Sequence, residues 1–139
     1  MTRTPLVAAL VATLLLVACG DTVHGVEYAE PAVAEVRTMM KQHEFEKIYD
    51  TSSELFRNAT PREKGVALFA AIERKLGALR SAKQINWGVN TNNGVTIATL
   101  VYASEYEQGQ ATETFNIEID HGKGKLAGFN IQSLDMMIR

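Results

Sequence analysis

The spacing of apolar positions changes once along this chain, near residue 81, from the period of a helix to that of a strand. Before that point Val33, Val36 and Met40 form one stripe, while Phe45, Ile48, Tyr49, Ser52, Leu55 and Phe56 form another. At about 100° per residue the second stripe lies nearly opposite the first, so one straight helix would not bury both against a single partner. The pattern predicts a break over residues 41–44. Thr51 and Glu54 spell a T-x-x-E capping box and mark a second interruption. Pro31 suits the first turn of the opening helix, where its missing N–H costs nothing. Thr60-Pro61-Arg62-Glu63 then supplies a capping threonine, a first-turn proline and a glutamate able to reach back. Leu68, Phe69, Ile72, Leu76 and Leu79 share one face, which predicts an amphipathic helix from Pro61 to about Arg80.

Past Ser81 the period is two. Ile85, Trp87 and Val89 alternate with polar residues, and Asn93-Gly94 then supplies the pair that favours a tight hairpin. A long strand from Val95 to Tyr106 is apolar on both faces around Ile97, Leu100, Val101 and Tyr102. Residues 107–110 turn the chain, and Phe115, Ile117 and Ile119 alternate with polar residues in the clearest one-sided strand. Residues 121–124 turn again, and Leu126 to Ser133 makes a fourth strand with Phe129 and Ile131 facing in. Helices followed by a four-stranded antiparallel meander predict an α+β domain with its helices on one sheet face. The long two-faced strand implies a strongly bent sheet, and bent sheets with a helix in the mouth form cones.

The first 18 residues have another character. Arg3 precedes an apolar run from Leu6 to Val17 that ends in small residues, the make-up of a secretory leader. Such a run is too short to span a bilayer as a helix. Leu16-Val17-Ala18-Cys19 resembles the lipobox of bacterial lipoproteins. That resemblance implies cleavage before Cys19, lipid on its sulfur and acylation of the new amino group. Membrane attachment in the bacterial cell envelope, facing the periplasm, would follow. The alternative for Cys19 is a small buried residue in an ordinary secretory leader. Gly20 follows the cysteine and Asp21 comes one place later, which by the same resemblance favours the outer over the inner membrane. The predicted organisation is a leader over 1–18, a tether over 19–30 and one domain over 31–139.

Removing 18 of the 139 residues leaves 121, enough for one small core. The leader holds one of the 14 basic residues and none of the 16 acidic ones, so the mature chain carries −3. No basic run or basic patch interleaved with aromatics is present, which argues against nucleic acid as a partner. Cys19 is the only cysteine, so the exported domain has no internal disulfide.

Several segments carry a likeness to known folds. They are Phe45-Glu46-Lys47-Ile48-Tyr49-Asp50, the Thr60-Pro61 helix start, residues 75–81, Val101-Tyr102, Glu113-Thr114-Phe115 and residues 124–131. The order of elements resembles the cystatin-like cone of nuclear-transport-factor-two-like and SnoaL-like proteins, and closer still the small exported bacterial lipoproteins of that fold. The resemblance implies a homodimer through the sheet. It implies no single activity, because this cone hosts isomerases, dehydratases, binders and docking modules.

An enzyme of this kind would place an acid or base among apolar walls. The face of Phe115, Ile117 and Ile119 continues back only to Glu113, near a turn, where solvation is the simpler expectation. Asp120 and His121 read as a polar turn pair, His43 as a cap or an exposed-face residue at the helix break, and His24 as part of the tether. These three scattered histidines have no metal-ligand spacing, so no metal or cofactor is expected. Tyr49, Trp87, Tyr102, Phe115 and Phe129 either line a pocket or make up the core. Asn58-Ala59-Thr60 matches a glycosylation triplet but fits a helix cap better, and Met136-Met137 is an exposed or edge-packing pair. Three functional readings follow: a non-catalytic envelope lipoprotein that binds a protein partner or envelope component, a binder of a small apolar ligand, and an acid–base isomerase or dehydratase.

Overall fold

The computed structural model describes residues 20–139, with side chains from residue 24 onward; the leader and Cys19 lie outside the described residues. Helix α1 (Gly20–Lys41) takes in most of the segment expected to be a tether. Ala29, Ala32, Val33, Val36 and Met39 are buried at helical spacing, so this stretch belongs to the domain core. Pro31 therefore sits in the helix interior and not in a first turn. An interior proline costs about 3 kcal/mol or more. Each buried valine alone returns about 1.5–3 kcal/mol, so the packed face of α1 outweighs the break.

The predicted break over residues 41–44 is present: α1 ends at Lys41 and α2 (Phe45–Thr51) starts after a turn with His43 at φ 58°. The second interruption is also present, before α3 (Glu54–Ala59), but the capping box does not form. Thr51 Oγ1 instead donates back to the Lys47 carbonyl at 2.8 Å, and Ser53 is the N-cap. Helix α4 (Arg62–Leu76) is capped by Pro61 without a side-chain bond, and Thr60 uses its carbonyl to accept from the Tyr49 hydroxyl at 2.8 Å. It stops four residues short of the expected end because Gly77, at φ 75°, turns the chain out of the helix. Leu79, read above as a helix position, opens the sheet.

Strands β1 (Leu79–Asn92), β2 (Val95–Tyr106), β3 (Gly109–Asp120) and β4 (Lys123–Gln132) form one antiparallel sheet in sequence order, and α5 (Leu134–Ile138) ends the chain. The architecture is α+β, helices first and an open four-stranded meander after. Asn93-Gly94 and His121-Gly122 both form two-residue turns with positive φ at each position, the geometry that matches strand twist. In β2 the even-numbered residues from Ala98 to Tyr106 face the helices, and in β3 the odd-numbered ones from Ala111 to Ile119 do, in matching register.

Bulges interrupt the pairing twice in β1 and once in β4, and each adds local twist. The one between Gln84 and Asn86 leaves Ile85 unpaired and 55% exposed. Trp87 pairs with Leu100 but stays 48% exposed on the edge strand. Between helices and sheet runs a ladder of aromatic rings from Tyr49 through Phe56, Phe69, Phe129 and Phe115 to Tyr102, with centroids 5.0–6.4 Å apart. Among the described residues no helix is long and apolar enough to cross a membrane.

Candidate functional site

Glu113 is 3% exposed and stands at the end of the ladder, opposite Tyr102 across the β2–β3 pairing. This corrects the expectation of a solvated turn residue. The strand phase that buries Phe115 and Ile117 also turns Glu113 inward, and the β2–β3 hairpin is long enough to carry it under the helices.

Three donors hold this carboxylate. Arg37 Nη2, reaching down from α1, donates to Oε2 at 2.9 Å. Ser104 Oγ donates to the same oxygen at 2.5 Å, and Tyr106 Oη donates to Oε1 at 2.6 Å. The Arg37 guanidinium carbon also lies 5.0 Å from the Tyr102 ring centre and 5.2 Å from that of Phe115, within cation–π range. Burial, then the Glu113 charge and hydrogen bond, push the Tyr106 phenol far above its ordinary range. Burial raises Tyr102 as well, opposed by the charge of Arg37. Tyr106 therefore remains a hydrogen-bond donor across the biological pH range.

The cluster holds a buried carboxyl group in one orientation. Glu113 accepts three hydrogen bonds, two on Oε2 and one on Oε1, and a guanidinium and two hydroxyls thereby fix its orientation. The arrangement ties α1 to the centre of the sheet.

Next to this cluster lies a cavity of about 420 Å³ between the C-terminal ends of α1 and α4. Its apolar walls are Met40, Ala78, Leu79 and the Tyr106 ring, and α1 brings Arg37 and Lys41 to it. Glu73 and His43 stand on its lining, joined Oε2 to Nδ1 at 2.6 Å. His43, expected as a cap or an exposed-face residue at the helix break, is exposed there and bridges the α1–α2 turn to α4.

The five aromatics weighed as pocket lining all lie elsewhere. Tyr49, Phe115, Phe129 and Tyr102 fill the ladder, and Trp87 faces solvent at the sheet edge. Asp120 and His121 form the expected turn pair at 2.5 Å. His24 is in α1 and meets Glu27 at 3.3 Å. Of the two terminal methionines, Met136 packs on the core and Met137 is exposed. No group of three His, Cys, Asp or Glu side chains among the described residues could hold a metal ion.

Sequence reasoning missed Arg37, Ser104 and Tyr106. A signal was present for the pair: Arg37 is a lone cation within the apolar stripe of α1, and Glu113 is a lone anion in phase with the apolar face of β3. No protein-family model matches the chain, and no curated protein matches it.

Proposed function

We propose that this is a non-catalytic lipoprotein of the bacterial envelope, anchored through lipid on Cys19 and facing the periplasm, with the outer membrane favoured. Its domain serves to bind a protein partner or another envelope component. The observation that carries the non-catalytic part is Glu113: the one buried carboxylate among the described residues has three hydrogen-bond donors on it. The likeness of residues 16–19 to a lipobox supports the anchor. The bulged meander under its helix layer supports the cystatin-like cone.

Detergent phase partition of the full chain tests the anchor. The wild type should enter the detergent-rich phase and label with palmitate, and Cys19→Ser should do neither. A serine variant that still partitions would overturn it. Turnover of a panel of esters, enones and hydroxy acids tests the second part, and any turnover lost in Glu113→Gln would restore the enzyme reading.

The cavity beside Arg37 favours a second reading, in which the domain binds a small ligand. This keeps the apolar-ligand hypothesis but moves its site away from the five aromatics to the ends of α1 and α4.

A further inference from the structure

We infer that the cavity between the ends of α1 and α4 takes a small amphipathic organic anion, a carboxylate or sulfonate on a short apolar body. The inference deepens the binding role proposed above and is independent of the lipid anchor. The volume, about 420 Å³, falls in the range of sites that bury a small molecule. Met40, Ala78, Leu79 and the face of Tyr106 offer an apolar lining.

The two cations on the lining, Arg37 and Lys41, outnumber its one carboxylate. Glu73 is the only carboxylate on the lining, and His43 occupies its Oε2. Glu107, behind Gly77, is turned to the Ala78 N–H and to Arg80. Arg37 gives one bond to Glu113 and carries five N–H donors, so donors remain while its side chain keeps 20% exposure. Lys41 makes no ion pair among the described residues. Two adjacent cations from consecutive turns of α1, Arg37 and Lys41, therefore stand at the mouth of an apolar hollow. A carboxylate head satisfies them, and a hydrocarbon body fills the rest.

Photocrosslinking of the full chain tests this with three probes that share a diazirine-bearing octyl body: the octanoate, the octylammonium and the octanol. The octanoate should modify peptides holding Met40, Leu79 or Tyr106 about fivefold or more above the other two, as a charge-assisted bond would give. Lys41→Glu, an exposed substitution that leaves the core intact, should remove that excess, and Lys41→Arg should keep it. Equal labelling by the three probes, labelling elsewhere, or an excess untouched by Lys41→Glu would overturn the inference. None of those results bears on the anchor, which the Cys19→Ser partition reads separately.

Discussion

Arg37 in α1 and Glu113 in β3 are bonded at 2.9 Å across 76 residues of sequence, the longest-range polar link in the described chain. Removing one partner of such a pair leaves an uncompensated buried charge, at a cost of about 3–5 kcal/mol. Arg37→Met and Glu113→Leu should each lose that much in urea denaturation. The double variant should recover at least half of the summed loss, because no buried charge then remains. Additive losses would show that the two residues are not coupled.

The Tyr106 phenol makes stability fall at high pH. Its folded-state pKa is raised, so the stabilisation is fully present below the unfolded value of about 10 and drains away as pH rises past it. Burial raises Tyr102 in the same direction. Denaturation at pH 8 to 11 should show this decline in the wild type and a shallower one in Tyr106→Phe. That variant should also start lower at pH 8, by about 1.5–3 kcal/mol, for the hydrogen bond lost to a charged group.

Gly124 lets α1 lie close on β4. A Cβ there would meet Ile117 Cγ2 at 2.7 Å and the Tyr28 carbonyl oxygen at 2.8 Å, and the latter is backbone that has little room to give. Gly124→Ala should cost about 1–3 kcal/mol. Gly88 is the control, with nothing within 4 Å of its added Cβ, and Gly88→Ala should gain about 0.5–1 kcal/mol. Paired thermal melts check both.

Trp87 is the only tryptophan, so its fluorescence reports one place. At 48% exposure its native emission should be quenched readily by acrylamide. Trp87→Ala should cost under about 1 kcal/mol, whereas Phe115→Ala, in the buried ladder, should cost about 3–5 kcal/mol. Equal costs would place Trp87 in the core.

Elements whose formation depends on local chemistry were legible in the sequence. The Asn93-Gly94 hairpin, the break before Phe45 and the alternation of Phe115, Ile117 and Ile119 follow from turn preference and period, and all three are present. What escaped is set by tertiary contact. The helical state of residues 20–30 comes from the sheet beneath Ala29 and Ala32, since Gly25 and Pro31 argue against it locally. Trp87 has the right phase to be inside, but an edge strand has cover on one side only, and alternation does not reveal which strand is the edge. Glu113 reads as solvated beside a turn until α1 is placed over it with Arg37. The cavity is illegible for the same reason: its walls come from the ends of two helices and two strands, brought together only by the fold.

Helix α1 runs unbroken for 22 residues from Gly20, about 33 Å at 1.5 Å per residue. The sheet already lies against that helix at Gly25 and Tyr28, so the His121-Gly122 turn shares its Gly20 end and the hollow beside Lys41 opens at the opposite end of the domain.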